Sequence, residues 1–516
     1  MSIVTPEWVR DAVFYQIFPD RYARSGRVEA PGPLEPWDTP PTSHGFKGGD
    51  LYGVIEHLDH LASLGVTALY LNPVFASASN HRYHTYDYYA VDPLLGGNEA
   101  LRALIDAAHG RGMRVVLDGV FNHASRGFWP FNHVLECGLG SPYVDWFYVD
   151  REALAAGRPL RAYPNEPLRH AAEGANGLDH FGSESISSLG YRAWWDLPAL
   201  PKLNTDNPRV REYLFGVAEH WIRFGADGWR LDVAAEIDDD AFWREFRRRV
   251  KAIDPEAYIV AEIWHEDHRW LKGDQFDAYM GYPVGFAALS FCAGAHRDER
   301  VIRQHSEVGA NVRVDDGPSF LARLDHALHA YDPAVNAVQM NLIDTHDTPR
   351  LLSMCAGDTD GMRLTALVLL TVGGAPCIYY GDEVGMSGEH DPASRGAFPW
   401  DRPETWDRGL LDFYRGAVAL RHTHRAIRRG AFTGAGASGM AAAYVRSDES
   451  DAFVVCINAG DAPADLRLTV PALDGRTLEP VTWDGWSWGP GDAVVVTGGT
   501  ASVGLAPRSA RVLRAR

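Results

Sequence analysis

The chain has 516 residues, of which 46% are hydrophobic and 11% aromatic, and its formal net charge is −19 at pH 7. This length and apolar content predict large cores in about two or three domains and exclude global disorder. The negative charge argues against nucleic acid or an anionic membrane as the main partner and suits a soluble enzyme with a neutral substrate. The 16 Trp and 21 Tyr fit ordinary cores, and they equally fit a cleft in which rings stack on sugars.

Cysteine usage and the amino terminus indicate a cytoplasmic protein. The five cysteines are odd in number, scattered and without a Cys-x-x-Cys pair, which predicts free thiols in a reducing compartment rather than a disulfide frame or a zinc site. The amino terminus shows no basic segment followed by an apolar one, so no signal peptide is predicted. No apolar run reaches the roughly 18 residues that would predict a membrane span.

The first quarter of the chain alternates strands with helices. The predicted elements are strands at 13–17, 66–71 and 113–118, helices at 51–64 and 99–109, and a Pro- and Gly-rich loop at 20–50. Near-continuous apolar strands separated by helices are typical of a parallel sheet that is covered on both faces.

The alternation pauses at 124–200, a segment rich in aromatic, Gly and Pro residues and too long for an ordinary loop, which predicts an inserted subdomain. The alternation then resumes with helices at 208–224 and 241–251, strands at 228–232 and 257–262, and strands ending near Met280, His346 and Tyr379. About eight strand–helix units favour a closed (β/α)8 TIM barrel over an open doubly wound sheet.

Short alternating strands beyond about residue 430 predict an all-β C-terminal domain, a sandwich. These strands are predicted at 441–446, 452–457, 466–470, 493–496 and 510–513. The predicted domains are therefore a catalytic barrel at 1–123 and 201–430, the inserted subdomain at 124–200, and the sandwich at 431–516.

Polar residues gather where the predicted barrel strands end, which is where barrel enzymes place their active sites. The residues at these strand ends are Asp118, Asn122, His123, Arg230, Asp232, Glu262, His346 and Asp347. Each is an ordinary surface residue when taken alone. Their convergence on one mouth indicates a catalytic site.

Arg230 and Asp232 are two residues apart on a strand and therefore project from the same face. The guanidinium is expected to hold the Asp232 carboxylate ionised with a lowered pKa, as a nucleophile requires, although such a pair also occurs as a purely structural ion pair. Glu262 follows an apolar run, and we expect apolar neighbours and negative charge to raise its pKa, which suits a general acid. Several carboxylates at one mouth are typical of glycoside cleavage.

The motifs that carry these residues resemble those of the α-amylase superfamily of retaining glycosidases. The motifs are Asp118-Gly-Val-Phe-Asn122-His123, Gly228-Trp-Arg230-Leu-Asp232, Glu262-Ile-Trp264-His265 and His346-Asp347. They occur in the order expected for the family and cover nearly the whole chain. The resemblance implies that Asp232 is the nucleophile, Glu262 the acid/base and Asp347 the stabiliser of the transition state.

Further signatures resemble the neopullulanase, cyclomaltodextrinase and maltogenic amylase branch. They are Leu200-Pro201-Lys202-Leu203-Asn204, the Val233–Glu236 tail, and Tyr380-Gly381-Asp382-Glu383-Val384-Gly385-Met386. The resemblance implies that Tyr83, in the loop from His81 to Tyr88, stacks on the sugar that is cleaved, although an aromatic loop packed on the barrel would look the same. The other residues implied to bind substrate are His81, Asp118, His123, Arg230, Glu236, Trp264, His346, Arg350, Asp391 and Arg395. Among these, Glu236 and Trp264 are placed on the leaving-group side.

The chain departs from the branch in three places. It begins directly at the barrel, so a homodimer is not expected to form through the extra N-terminal domain that is common in the branch. The loop at 22–45 lacks the Asn/Asp series that often binds calcium in the branch, and Asp50 alone supplies too few oxygen ligands for Ca²⁺. The ligand set for a structural calcium ion is therefore incomplete, and we predict that no cofactor is required. Ala235 replaces the amide residue that usually precedes Glu236.

The sequence therefore predicts a retaining hydrolase of α-1,4 bonds, with α-1,6 bonds left open, in small linear or cyclic gluco-oligosaccharides. The substrates left open are cyclodextrins, maltooligosaccharides, pullulan fragments and cyclic tetrasaccharides of the maltosyl-maltose type. A transglucosylase or glucoside isomerase on the same scaffold is the alternative enzyme. A carbohydrate-binding or transporter-associated protein that lost catalysis is the alternative from another class, and the three retained carboxylates argue against it.

Overall fold

The structure, a computed structural model, describes residues 3–164, 185–483 and 491–516. Eight short strands form its central sheet. They are β1 (Phe14–Ile17), β2 (Ala68–Leu71), β3 (Arg114–Gly119), β4 (Gly228–Leu231), β5 (Tyr258–Ala261), β6 (Ala278–Tyr279), β7 (Met340–Asn341) and β8 (Ala375–Tyr379). The eight are buried apart from the first residue of β3, which explains why their sequences are apolar runs rather than alternating patterns.

These strands close into a barrel. Every pairing between them is parallel, in the order β6-β5-β4-β3-β2-β1-β8-β7. A further parallel bridge between Met280 and Met340 joins the two edges of this sheet. The predicted (β/α)8 TIM barrel is therefore confirmed.

Helices follow the strands and cover the barrel. The helices of six or more residues in the barrel segments are Leu51–Glu56, Leu58–Leu64, Gly97–His109, Pro208–Arg223, Asp240–Ile253, Tyr282–Cys292, Ser306–Asn311, Gly317–His329, Thr359–Thr371 and Arg408–Thr423. The single helix predicted at 51–64 is broken at His57, whose ring stacks on Trp400 at 3.6 Å between centroids.

Two features of the barrel segments differ from the sequence predictions. The strand predicted to end near His346 stops at Asn341, and the chain continues as a loop whose turn is held by the Thr348 hydroxyl, which accepts from Thr345 N. An unpredicted hairpin, Phe75–Ser77 with Thr85–Val91, carries the loop that contains Tyr83.

The segment between β3 and the helix at Pro208 makes the longest excursion. Its described helices of five or more residues are Trp129–Cys137, Arg151–Ala155 and Ser185–Leu189, and residues 165–184 of the predicted subdomain lie outside the described residues. Antiparallel bridges pair His123 with Lys202 and Ala193 with Pro201. These bridges bring both ends of the excursion to the barrel mouth.

The C-terminal part is all β, as predicted. Its strands are Ala431–Ser438, Ala441–Ser447, Ala452–Asn458, Ala464–Thr469, Thr477–Pro480, Val494–Val495, Thr500–Leu505 and Ser509–Ala515. Six form one antiparallel sheet, and Ala464–Thr469 pairs with Thr500–Leu505 in a second. Because strand residues alternate between faces, Ala443 and Val445 enter a core shared with the second sheet, while Ala442 and Tyr444 pack against the barrel.

None of the helices in the described part of the chain is long and apolar enough to cross a membrane.

Candidate active site

Arg230 lies at the centre of the barrel mouth and has no exposed surface. Its Nη1 donates to Asp118 Oδ1 and Asp232 Oδ1, each at 2.9 Å, and its Nη2 lies 2.8 Å from Glu262 Oε2. Strands β3, β4 and β5 are neighbours, and their register places Asp118 directly beside Arg230. Parallel pairing thus brings one cation and three carboxyl groups together; we call Asp118, Arg230, Asp232 and Glu262 the ionic centre.

Burial dominates the protonation of the ionic centre. It raises the pKa of Asp232 well above its usual value, because the loss of solvent outweighs the attraction of Arg230. The prediction of a lowered pKa for Asp232 is therefore wrong. Burial also raises the pKa of Glu262, as predicted. Since Asp232 and Glu262 share one guanidinium, they titrate as a pair rather than independently.

Asp347 occupies a different environment on the loop after β7. Its carboxylate lies 3.2 Å from His346 Nε2 and 3.3 Å from Arg395 Nη2. Burial acts to raise its pKa, but the His346 ring and the Arg395 guanidinium outweigh burial and leave the pKa below its usual value. Asp347 is thus the carboxylate that most readily stays ionised.

The imidazole of His346 is held in one tautomer. Its Nδ1 faces the amide nitrogens of Gln16 and Asn72, at 3.0 and 3.2 Å, and amide nitrogens can only donate. The ring proton is therefore on Nε2, which points at Tyr83 Oη and Asp347. Burial lowers the pKa of His346 to about 3, so the ring is a neutral donor at ordinary pH.

Tyr83 lies flat against His346, with centroids 5.3 Å apart and planes at 4°. Its hydroxyl donates to Asp118 Oδ2 at 2.9 Å, and Tyr70 Oη donates to the same oxygen at 2.8 Å. His81 holds the loop from behind, because its Nδ1 accepts from Tyr83 N at 3.2 Å. His81 therefore orients Tyr83 and makes no contact with the ionic centre among the contacts described.

His123 follows β3 and is fully buried. Lys202 Nζ donates to Asn122 Oδ1 at 2.6 Å, so the Asn122 amide nitrogen faces His123 Nδ1 at 3.3 Å and the ring proton is on Nε2. Burial lowers the pKa of His123 to about 3, although a hydrogen bond to the Tyr83 backbone acts in the opposite direction. The ring is therefore neutral at ordinary pH and is held between Asn122 and the Tyr83 loop.

Lys202 also fixes Glu236, beside the unusual Ala235. Its Nζ donates to Glu236 O at 2.8 Å and lies 3.4 Å from Glu236 Oε2. Burial lowers the pKa of Lys202 to about 8. Glu236 remains partly exposed.

Arg395 links Asp347 to Asp391. Its Nε donates to His346 O at 2.7 Å, and its Nη1 lies 3.1 Å from Asp391 Oδ1. These contacts place Asp391 and Arg395 beside Asp347, where the resemblance implied the next sugar.

Arg350 and Trp264 are both held by contacts within the protein. Arg350 is fully buried, and its guanidinium donates to Ser394 O and Tyr380 O at 2.8 and 2.7 Å. Its Nη2 is buried without a hydrogen-bond partner among the described residues, and its implied role in substrate binding stays a prediction. The ring of Trp264 stacks on the rings of both Tyr282 and His305, at 3.6 and 4.9 Å between centroids. Two protein rings therefore already use the stacking surface of Trp264.

Sequence reasoning missed several residues of the site. Gln16 and Asn72 lie at the ends of β1 and β2, so the rule that identified Asp118 would have found them. Trp194 stacks on His123 at 4.9 Å and 10°, and Trp195 stacks on Trp194 at 4.5 Å and 11°. The His123–Trp194 contact joins distant parts of the chain, and no local pattern signals it.

The loop that would carry calcium holds an ammonium group instead. Lys47 Nζ donates to Pro36 O, Thr39 O and Thr39 Oγ1 at 2.6, 2.7 and 2.8 Å. Asp50 Oδ2 accepts from Ser25 and its Oδ1 caps the helix at Gly53 N. Among the described residues, no group of three or more His, Cys, Asp or Glu is arranged to hold a metal. These residues do not fit a calcium ion, because a cation and backbone donors already use the oxygens.

Comparisons with known proteins agree with this arrangement. Residues 16–409 match the family model described as the alpha-amylase catalytic domain. The chain is 42% identical over 471 residues to a cyclomaltodextrinase of Geobacillus thermopakistaniensis, covering 90% of this chain and 72% of that one. It is 40% identical over 479 residues to neopullulanase 2 of Thermoactinomyces vulgaris, covering 92% and 73%.

A solved structure extends the likeness to both ends of the described chain. The cyclic α-maltosyl-(1→6)-maltose hydrolase of Arthrobacter globiformis, in complex with its cyclic sugar, superposes with a TM-score of 0.82 at 34% identity. The match covers 99% of this chain and all of that one.

Proposed function

Because the chain belongs to the α-amylase family of glycoside hydrolases, we propose that it is a retaining hydrolase of small α-linked gluco-oligosaccharides. Asp232 is the nucleophile, Glu262 the acid/base and Asp347 the stabiliser of the transition state. The observation that carries this proposal is the single Arg230 guanidinium in contact with both Asp232 and Glu262. Two carboxyl groups on one guanidinium support the separation of about 5–5.5 Å used by retaining enzymes rather than the wider one of inverting enzymes.

The first chemical step breaks the glycosidic bond. The Asp232 carboxylate attacks the anomeric carbon, the bond from that carbon to the leaving oxygen breaks, and the Glu262 carboxyl proton passes to that oxygen. Burial raises the pKa of both carboxyl groups, and the productive arrangement has a proton on Glu262 and an ionised Asp232.

The second step hydrolyses the ester on Asp232. Glu262, now ionised, takes a proton from water, the water oxygen bonds to the anomeric carbon, and the bond to Asp232 Oδ breaks. The sugar leaves with its original α configuration, and both carboxyl groups regain their first protonation state.

The neighbouring rings suit the sugar that is cleaved. His123 and His346 are neutral at ordinary pH, and Tyr83 supplies a ring that is stacked on His346. We place the next sugar in the non-reducing direction against Asp391 and Arg395, and the leaving sugar beside Glu236.

The substrate class is proposed from the relatives and the site together. The names of the relatives include a cyclomaltodextrinase, a neopullulanase and a hydrolase of a cyclic sugar with a 1→6 bond. We therefore propose α-1,4 bonds of cyclodextrins and maltooligosaccharides as targets, with α-1,6 bonds of small cyclic sugars as further ones. Initial rates on such a panel, with and without a sugar acceptor, distinguish hydrolysis from transfer.

We further propose that the enzyme needs no calcium in the 22–50 loop, because Lys47 supplies the cation there. All five cysteines are free thiols and four are buried, which supports a reducing, cytoplasmic location. Homodimerisation remains a prediction, and sedimentation of the purified chain tests it.

Replacing Asp232 with Asn tests the catalytic assignment. Hydrolysis is expected to fall by at least the roughly 10²–10⁴-fold that follows loss of one acid/base group, with the melting temperature preserved. Asp465→Asn, on an exposed position of the C-terminal domain, is the matched control and should leave activity unchanged. Activity near the wild-type rate in D232N would refute the proposal.

A further inference from the structure

Trp264 lies in an indole sandwich, which we define as Tyr282, Trp264 and His305. Tyr282 stacks on the indole at 3.6 Å and 13°, and His305 also stacks on it at 4.9 Å and 26°. The indole edge points into the site, where Nε1 donates to Glu262 Oε1 at 3.2 Å. The ring is thus held by two stacking contacts and by a hydrogen bond through its only polar atom.

Both outer rings of the sandwich are themselves fixed. Tyr282 begins the helix Tyr282–Cys292 and is 1% exposed. His305 precedes the helix Ser306–Asn311, and its Nδ1 accepts from Val308 N at 3.4 Å. Burial lowers the pKa of His305 to about 4, so its ring stacks as a neutral imidazole at ordinary pH.

The two oxygens of Glu262 have different partners. Oε2 accepts from Val233 N at 3.0 Å and lies 2.8 Å from Arg230 Nη2. Oε1 has the Trp264 indole as its one hydrogen-bond partner among the described residues. Oε1 is therefore the oxygen left to exchange a proton with the leaving group, and Trp264 sets its direction.

We infer that Trp264 is a positioning residue for the acid/base Glu262, held in place by Tyr282 and His305, rather than a sugar platform. This inference rests on the proposed role of Glu262. An N–H donor at Oε1 stabilises the ionised carboxylate and fixes the plane of the carboxyl group. Both effects act on the proton transfer and not on the binding of the sugar chain.

The pH profile of kcat/KM is the first readout, because its alkaline limb reports loss of the last proton from the Asp232–Glu262 pair. The charged and titratable groups that face Glu262 are Arg230, Asp232, Asp118, Asp347, Tyr70 and Tyr282. Trp264→Phe leaves them all in place and removes the indole N–H. The limb should move to higher pH by about one unit, since a donor to the charged form has been lost.

The leaving group is the second readout. Trp264→Phe should lower kcat about tenfold on maltooligosaccharides, whose leaving oxygen needs a proton, and should change it little on α-maltosyl fluoride, whose leaving group needs none. His305→Ala should give the same pattern more weakly, and His305→Phe should restore activity because it restores a stacked ring.

Trp270→Phe is the matched control, because Trp270 Nε1 donates to Asp240, a carboxylate outside the site, at 3.1 Å. An unmoved alkaline limb of the pH profile in W264F, or a raised KM at unchanged kcat, would overturn the inference. If H305F is as slow as H305A, the His305 ring does not act on Trp264 by stacking. Activity in E262Q at the wild-type rate would overturn the proposed function itself, whereas an inactive E262Q with a normal W264F overturns only this inference.

Discussion

The ionic centre and the loops around it are built in opposite ways. Asp118, Arg230, Asp232 and Glu262 follow or end neighbouring strands, are almost fully buried, and contact one another directly. The surrounding aromatic rim, which we define as Trp194, Trp195 and the indole sandwich, lies on loops and helix starts and is joined by ring contacts. Strand pairing thus sets the positions of the reacting carboxyl groups. Loop packing sets the orientation of their side chains and the access of substrate to them.

The largest effect is expected at the ionic centre itself. Arg230→Lys should lower kcat by more than about 100-fold and destabilise the fold by about 3–5 kcal/mol, because an ammonium group cannot contact three carboxyl groups through a planar fork and leaves buried charge unpaired. Activity and thermal unfolding are measured together.

Arg244→Lys provides the surface counterpart, since the Arg244–Asp274 pair is half exposed and such pairs contribute little. Equal losses of activity and stability in R230K and R244K would contradict the distinction between the buried ionic centre and a surface ion pair.

An intermediate effect is expected at the aromatic rim. Trp195 is 55% exposed, and both it and Asp196 adopt left-handed backbone angles, with φ of 51° and 55°. Strain of this kind is retained where a side chain must be presented in one direction. Trp195→Ala should raise KM for maltooligosaccharides about tenfold and change kcat little. A tenfold change corresponds to the loss of one stacking contact of about 1.4 kcal/mol.

Trp129 is exposed to a similar degree and packs on His133, away from the ionic centre, so Trp129→Ala is the control. An unchanged KM in W195A would show that the ring does not contact substrate.

The sequence predicts the residues at strand ends better than those on loops. Asp118, Asp232 and Glu262 could be found because polar residues at strand ends converge in a barrel, and the rule extends to Gln16 and Asn72. The sandwich around Trp264 could not, since it depends on where two helices begin in space. The predicted direction of the Asp232 pKa shift was also wrong. A sequence reveals the neighbouring Arg230, but it does not reveal how deeply Asp232 is buried, and burial outweighs the effect of Arg230.

Arg350 shows what a resemblance leaves open. The resemblance implied contact with sugar, and the buried side chain donates to the backbone carbonyls of Tyr380 and Ser394. The course of those two loops, which no local pattern gives, determines these contacts.

The smallest effect concerns a buried cation outside the site. Lys47→Met leaves the carbonyls of Pro36 and Thr39 without a donor and should destabilise the fold by about 1–3 kcal/mol with kcat unchanged. Lys272→Met, at an exposed position, should be neutral. A chelator should change neither the melting temperature nor the activity of the wild-type chain; a marked loss on chelation would contradict the role given to Lys47.

The identity of the nucleophile is tested most directly by trapping the covalent intermediate. A fluorinated α-glucosyl fluoride, whose ester forms faster than it is hydrolysed, is incubated with the enzyme, and the labelled peptide is located by mass spectrometry. The account predicts a single glucosyl ester on Asp232, absent from the D232N variant. A label on Glu262 or Asp347, or complete turnover with inversion at the anomeric carbon, would contradict it.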